Sequence, residues 1–224
     1  MSSVSTEPTQ SPPSPPSKRG PSWRVWLTAI AMLVAVGLSF LLASKQRVQH
    51  GYFGQRLFPP KTAYDFSMTN QDGQGCRLDQ FRGKVVFYLF GFTHCPNICP
   101  TSLTNLTAAY VKLSPAEQSK VRILFQSVDP GRDTPAALKD YTSFFGSEVI
   151  GLTGTKLEID RTASEYGASY ELVPIANDPQ QYTVNHSAYI YLIGPTGQIE
   201  ILYDNEQVAD ADRLLGDLRK VLAE

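Results

Sequence analysis

Two cysteines in the stretch GFTHCPNICPTSL (91–103) have the residue type and the spacing that could do chemistry. Cys95 and Cys99 lie four residues apart, each followed by a proline, and the 224-residue chain contains one further cysteine, Cys76. The pair could form a disulfide, act as a redox catalyst, bind a metal or be two buried thiols. Three cysteines are too few for the disulfide framework that stabilises small secreted domains.

The segments on either side of the pair predict a strand-to-helix corner. Residues 85–92, VVFYLFGF, are a continuous apolar run rich in β-forming residues, typical of a strand buried on both faces. Residues 100–113 carry apolar side chains at helical spacing. In an open α/β sheet, ligands bind at the carboxyl edge of the strands, and the cysteines fall there. Helix N-terminal N–H groups also favour the thiolate, which attacks disulfides and binds metals.

The other patterns predict an α/β fold with helices on both faces of a central sheet. A right-handed crossover makes the strands 85–92 and 121–128 parallel. The remaining predicted elements are a hairpin over 66–78, helices over 134–145, 156–166 and 208–222, and a second hairpin formed by 187–194 and 198–204. Asp133 or Thr134 is the predicted N-cap of the helix over 134–145.

Two sulfurs alone make a poor metal site, so a third ligand is sought among the three histidines. His50 lies in a predicted linker and is assigned no role. The side chain of His94 should point away from that of Cys95 if the strand continues, which favours an orienting or structural role over that of a ligand. His186 opens the predicted strand HSAYIYLIG and is a candidate ligand. Two thiolates and one imidazole suit copper better than structural zinc, which prefers four ligands. Such a site requires His186 within ~4–8 Å of both sulfurs.

The N-terminal part of the chain predicts a membrane anchor. Residues 1–24 are a Ser/Pro-rich tail, predicted to be disordered and cytoplasmic. Residues 25–44 are predicted to be a single transmembrane helix, because the run 25–43 carries no charge and is close to the ~20 residues that a span needs. Residues 45–61 are predicted to be a linker and 62–224 a folded domain. The basic residues before the span slightly favour export of that domain.

Three stretches, taken together, resemble one known family. They are FTHCPNICPTSL (92–103), SVDPGRDTP (127–135) and YTVNHSAYIYLIGPTG (182–197). They resemble the Sco (SenC/PrrC) family of membrane-anchored copper chaperones, and the resemblance extends over about residues 62–222. It implies a thioredoxin-like fold with an N-terminal hairpin and an inserted hairpin, preceded by one transmembrane helix.

The resemblance also implies a site. Copper, as Cu(I) or Cu(II) and one per chain, is expected on Cys95, Cys99 and His186. Asp129 matches the aspartate of the family's DP motif, which is thought to tune the site or meet partners. The family usually has Asp before the ligand histidine, where this chain has Asn185, and often has Asp within the cysteine motif, where it has Asn97. Both changes remove negative charge that could tune the site or contact a partner.

The implied function is that of a copper-binding assembly factor, which delivers copper to, or matures, the CuA centre of cytochrome c oxidase. This is a carrier more than an enzyme. The alternative is a thiol–disulfide oxidoreductase, in which Cys95 and Cys99 are the redox-active pair that reduces the cysteines of a copper-site partner. A peroxidase of the thioredoxin-like superfamily fits less well, because the cysteines are paired and the histidine is distant.

Partners and location follow from the same resemblance and from the composition. The expected partners are the copper subunit of the oxidase or another copper-site protein, and a membrane through the N-terminal helix. A net charge of -1 gives no indication of a nucleic-acid partner. The expected location is the bacterial inner membrane, with the soluble domain in the periplasm. Cys76 is interpreted as a small, half-buried hydrophobic residue.

Overall fold

The computed structural model describes residues 23–48, 51–175 and 178–224, and the chain divides into two units, 1–48 and 49–224. In the first unit, helix α1 spans Trp23–Val48 and contains the whole predicted segment 25–44. Within the described residues, no helix is both long and apolar enough to cross a membrane. The transmembrane character predicted for 25–44 is therefore not confirmed. Residues 1–22 of the predicted tail lie outside the described residues, and its last two residues are helical.

The second unit is built on one large sheet and one small one. The strands are β1 (Gln55–Thr62), β2 (Ser67–Asn70), β3 (Gly75–Arg77), β4 (Val85–Gly91), β5 (Val121–Ser127), β6 (Val149–Thr153), β7 (Tyr170–Ile175), β8 (Asp178–His186), β9 (Ile190–Ile193) and β10 (Gln198–Tyr203). The large sheet has the order β1-β10-β9-β4-β5-β6-β2-β3, and β7 pairs with β8 in a separate two-stranded sheet.

The centre of the large sheet is the apolar run that the sequence predicts as a buried strand. All seven residues of β4 are buried. It pairs in parallel with β5, which pairs in parallel with β6, while β9 lies antiparallel on its other side. Gly91 at the end of β4 is in register with Ser127 at the end of β5. The loops that follow these two strands therefore start side by side at one edge of the sheet.

Helices connect the strands much as the periodicity predicts. They are α2 (Ile98–Tyr110), α3 (Pro115–Gln118), α4 (Pro135–Ser143), α5 (Lys156–Tyr166) and α6 (Ala211–Ala223). Thr134 is the N-cap of α4, because its side chain accepts a hydrogen bond from the backbone N–H of Ala137 at 3.2 Å. The predicted α/β class is confirmed.

Both predicted hairpins are present. β2 and β3 pair across a turn in which Gly73 has φ +76°, and β9 and β10 pair across a turn in which Gly197 has the same φ. This left-handed backbone conformation is open to glycine at little cost, which explains why each turn carries one. The first of these is the N-terminal hairpin that the family resemblance implies.

The hairpin β7/β8 corrects one prediction about His186. This residue does not open a strand: it ends β8, and β9 begins only at Ile190. At the end opposite the turn, the two strands of this hairpin are joined by a hydrogen bond from the N–H of Ser187 to the carbonyl oxygen of Ser169 at 2.9 Å. The continuous apolar run that starts just after His186 concealed the break. β7/β8 lies between α5 and β9 in the chain, outside the large sheet.

The linker predicted over 45–61 is corrected for residues 55–61, which belong to β1. This strand forms an edge of the large sheet, where prolines are tolerated because one side needs no ladder hydrogen bond. Just before it, the buried carboxylate of Asp217 accepts hydrogen bonds from the N–H groups of Phe53 and Gly54, at 2.7 and 2.9 Å. The folded unit thus begins earlier than its polar, proline-containing sequence indicates.

Candidate metal site

The two motif cysteines lie on either side of the start of a helix. After β4 the chain turns through Phe92, whose carbonyl oxygen accepts the N–H of Cys95 at 3.1 Å, and α2 then begins at Ile98. Cys99 lies in the first turn of α2, and its N–H donates to the sulfur of Cys95 at 3.5 Å. A helix N-terminal amide therefore points at a sulfur, as expected for a strand-to-helix corner.

The structure brings three soft donor atoms together. The sulfurs of Cys95 and Cys99 and a ring nitrogen of His186 all lie within 4.8 Å of one another. The Cys99 sulfur is 3.4 Å from His186 Nε2. Both cysteines are buried and the histidine is half-buried. This meets the distance predicted from the sequence for a metal site. Three donors about 2.0–2.3 Å from a shared ion lie about 3.5–4 Å from one another, so the separations in the metal-free site are already of that order.

The ring of His186 is held in one orientation. Its Nδ1 lies 2.9 Å from the carbonyl oxygen of Ser187. A carbonyl can only accept, so Nδ1 carries the proton and Nε2 presents its lone pair to the sulfurs. The ring of Phe92 stands edge-on to the imidazole, with centroids 5.8 Å apart. The histidine thus has the tautomer that a metal ligand needs.

The floor of the site requires a glycine. A Cβ atom at Gly91 would lie 2.7 Å from the Cys99 sulfur and 2.4 Å from Cε2 of Phe125. Both distances are far inside van der Waals contact. The last residue of β4 therefore leaves the space that the inner sulfur occupies.

Hydrogen bonding makes the two thiols unequal. The bond from the Cys99 thiol, together with bonds from the backbone N–H groups of Cys99 and Asn97, lowers the pKa of Cys95 to about 4 against the opposing effect of burial. The pKa of Cys99 is raised far above its usual range, chiefly because its thiol bonds to Cys95 and then because it is buried. The metal-free pair is thus one thiolate supported by one thiol. Binding a metal to both sulfurs releases the remaining proton.

The third cysteine has no part in this cluster. Cys76 lies on β3 with 4% of its surface exposed, so it is more deeply buried than the sequence indicated. Burial raises the pKa of its thiol to about 11. An inert thiol in the core agrees with its interpretation as a hydrophobic residue.

Of the other histidines, His50 lies outside the described residues, and His94 is exposed beside the motif. The Nδ1 atom of His94 lies 3.0 Å from Oγ1 of Thr93. That hydroxyl donates to the buried carboxylate of Asp133 at 2.6 Å, so it accepts from the imidazole. Among the described residues, His94 is not part of the donor cluster.

Asp133 is a structural residue of the site that the sequence argument missed. Besides the Thr93 hydroxyl, its carboxylate accepts the N–H of Thr93 at 3.0 Å and the hydroxyl of Ser127 at 2.5 Å. It thereby ties the loop after β4 to the end of β5. Asp133 belongs to the GRDTP stretch, whose pattern predicts it only as a possible helix cap.

The two other residues singled out by the sequence take different positions. Asp129 is 2% exposed, and its carboxylate accepts hydrogen bonds from Tyr182 and Arg132. Asn185 is exposed on β8, opposite Glu171 of β7. It lines, together with Asn97, a cavity of about 510 Å³ that reaches Cys95 and His186. Asp129 is therefore buried in contacts with Tyr182 and Arg132, and Asn185 lies on the rim of the cavity beside the site.

The fold and this donor set agree with what comparison with known proteins finds. The sequence model of the SCO1/SenC family matches residues 54–223, so the chain belongs to this family. The SCO2-like protein of Rickettsia conorii is 34% identical over 177 residues, which cover 77% of this chain and 85% of that one. A mitochondrial yeast relative, Protein SCO2 of Saccharomyces cerevisiae, is 33% identical, and the matched region spans 59% of its length.

Solved structures share the thioredoxin-like Sco fold. The copper-bound structure of Bradyrhizobium japonicum ScoI superposes with a TM-score of 0.64 at 33% identity, covering 71% of this chain and 99% of that one. BsSco, a member of the Sco family of cytochrome c oxidase assembly proteins with an identified disulfide switch, superposes with a TM-score of 0.59 at 27% identity, covering 76% and 98%.

Proposed function

We propose that this protein binds one copper ion per chain through Cys95, Cys99 and His186, and that it delivers copper to, or matures, the CuA centre of cytochrome c oxidase. The observation that carries the proposal is the approach of His186 Nε2 to 3.4 Å from the Cys99 sulfur, with its lone pair directed at the cysteines. The copper-bound state of a relative and the oxidase-assembly role of BsSco support it.

The chemistry of the donors fits copper. Two thiolates and one neutral imidazole are soft to intermediate ligands, and a set of three suits Cu(I) while still holding Cu(II). The copper is cargo, so the site has to bind it and also release it. The cavity beside Cys95 and His186 leaves an approach for a partner to the half-buried side of the site.

A copper titration of the reduced protein tests the proposal. We expect one copper per chain, loss of binding in Cys95→Ala and weaker binding in His186→Ala. His94→Ala is the matched control, because that histidine adjoins the motif but lies outside the donor cluster. Unchanged binding in Cys95→Ala and His186→Ala would contradict the proposal.

A second function is favoured by the inequality of the thiols. Cys95 borders the open cavity and has the lowered pKa, and Cys99 lies behind it. The Cys95 thiolate would attack a partner disulfide, and Cys99 would then displace the partner from the mixed disulfide. The partner gains two electrons from the pair, one proton from the Cys99 thiol and one proton from solvent, and leaves as a dithiol while Cys95–Cys99 becomes the disulfide. Reduction of a partner disulfide that persists in His186→Ala would favour this role.

Attachment to the inner membrane through residues 25–44, with the copper domain in the periplasm, is part of the same proposal. Its support is the uncharged run over 25–43. Fractionation of the full-length chain tests it: carbonate-resistant membrane association and protease access to residues 49–224 from the periplasmic side are expected. Release from the membrane by carbonate would contradict it.

A further inference from the structure

The strand that carries His186 lies outside the large sheet. Among the described residues, β8 pairs only with β7 and makes no ladder with the strands next to the cysteines. The distance between His186 and the sulfurs therefore depends on contacts that hold the hairpin from outside. Near its His186 end, Tyr170 donates a hydrogen bond to Asp160 of α5. A second set of contacts lies four residues before His186, at Tyr182.

Tyr182 is held at three points by the turn that follows β5. Its hydroxyl donates to Asp129 Oδ1 at 2.8 Å. Its carbonyl oxygen accepts from Nη1 of Arg132 at 2.9 Å. The guanidinium carbon of Arg132 also lies 3.8 Å from the centroid of the Tyr182 ring. The Nε of Arg132 bonds in turn to Oδ2 of Asp129, which closes the set.

The contacts that Asp129 and Arg132 make with Tyr182 can influence the position of His186. Side chains alternate along a strand, so Tyr182, Val184 and His186 lie on the same face of β8. Val184 between them is buried. Arg132 also reaches the site from the other side, because its guanidinium carbon lies 5.8 Å from the centroid of the Phe92 ring, which stands against the imidazole of His186.

Stability alone gives a poor account of this arrangement. The carboxylate of Asp129 is 2% exposed, and the Arg132 Nη2 atom is buried without a hydrogen-bond partner among the described residues. The Arg132 side chain as a whole is 25% exposed, so the ion pair is partly buried. A partly buried ion pair with an unsatisfied buried group tends to be neutral or destabilising compared with apolar packing. A role in fixing the position of Tyr182, and with it strand β8, explains why Asp129 and Arg132 are charged residues.

We propose that Arg132 is a positioning residue for the third ligand: through Tyr182 it holds β8 so that His186 stays within bonding reach of the two sulfurs. The proposal rests on the proposed copper function for its role, but the positioning itself is a property of the metal-free chain. Arg132 does not touch the metal donors and acts through Tyr182 and Phe92.

A double-mutant cycle on copper affinity tests the inference. Because supporting groups around metal ligands typically change affinity by about 10- to 100-fold, Arg132→Ala should weaken copper binding by at least about 10-fold when His186 is present. In the His186→Ala background the same substitution should change it by less than about 2-fold. An equal loss in both backgrounds, or no loss in either, would overturn the inference.

A measurement on the metal-free chain separates this inference from the copper function. The ring-proton NMR signals of His186, assigned by their absence in His186→Ala, should shift in Arg132→Ala. They should not shift in Arg161→Ala, the matched control, in which an arginine 5.2 Å from the centroid of the Tyr64 ring is removed elsewhere. Unchanged signals in Arg132→Ala would overturn the positioning role even if copper binds.

A milder variant covers the case in which Arg132→Ala does not fold. Tyr182→Phe keeps the ring under the guanidinium and removes only the hydrogen bond to Asp129. It should shift the His186 signals and weaken copper binding in the same cycle by a smaller factor. A folded Tyr182→Phe chain with unchanged signals and affinity would count against the inference.

Discussion

The Cys99 sulfur and His186 Nε2 lie 3.4 Å apart although 87 positions separate the two residues in the chain. Cys99 comes from the first turn of α2, and His186 from the last residue of a hairpin that pairs with no strand of the large sheet among the described residues. Packing of the hairpin against the loops after β4 and β5 joins them.

The space beneath the inner sulfur predicts a strong effect at Gly91. Gly91→Ala should destabilise the fold by about 1–3 kcal/mol, as overpacking of a core does, and should weaken copper binding by displacing Cys99. Urea denaturation and copper titration measure the two effects. Gly75→Ala on β3 is the control, because a Cβ there meets nothing within 4 Å. Equal stability of the two variants would contradict the assigned role of Gly91.

The hydrogen bond from Cys99 predicts the pH profile of thiol reactivity. With a pKa of about 4, Cys95 is a thiolate above that pH and should react with iodoacetamide already at pH 6. Cys99→Ala removes the largest cause of the lowered pKa, so the midpoint of alkylation should rise toward the usual ~8.5. Mass spectrometry across pH 3–9 locates the label. An unchanged midpoint in Cys99→Ala would show that the bond from Cys99 does not lower the pKa of Cys95.

Cys76 supplies the internal control for that experiment. Its pKa is raised to about 11 by burial, so the native chain should carry no label at this position at pH 6. Cys76→Ala should leave the profile of Cys95 unchanged. Labelling of Cys76 under native conditions would show that β3 opens to solvent.

The buried carboxylate of Asp133 predicts a loss of stability that centres on the cysteine loop. Asp133→Ala leaves the N–H and hydroxyl of Thr93 and the hydroxyl of Ser127 without their acceptor. A buried donor without a partner costs about 1–3 kcal/mol, so a loss of at least about 2 kcal/mol is expected in urea denaturation. Asp140→Ala, at an exposed position of α4, should change stability by less than about 0.5 kcal/mol. A similar small change in both variants would refute the assignment.

The start of the folded unit predicts a contrast between two aspartates of α6. Asp217→Ala removes the acceptor of the N–H groups of Phe53 and Gly54 and should cost about 2 kcal/mol or more. Asp212→Ala breaks an ion pair with Lys112 in which the Asp212 side chain is 87% exposed, and should cost less than about 1 kcal/mol. Thermal unfolding compares them. If both variants unfold alike, Asp217 does not hold the segment before β1.

Local patterns were enough for much of the fold. The uninterrupted apolar run of β4, the helical periodicity of α2 and the glycine turns of the two hairpins are each determined over a few neighbouring residues. Strand β1 was not predicted, because its partner β10 lies far along the chain and its own sequence is polar and contains prolines. β7 and β8 were not predicted for a different reason: they are neighbours in the chain, but their residues alternate only weakly between apolar and polar.

The sequence by itself determined the chemistry of this protein: two thiols at a strand-to-helix corner, one candidate imidazole and the motifs of the SCO1/SenC family. The tertiary structure decided which atoms meet. Several features of the site depend on residues that meet across long stretches of chain. They are the tautomer of His186, the space left by Gly91, the hydrogen bonds accepted by Asp133 and the contacts between Arg132 and Tyr182. Residue type and spacing fix which donors are available, whereas distances of a few ångströms between remote segments arise only when the whole domain packs.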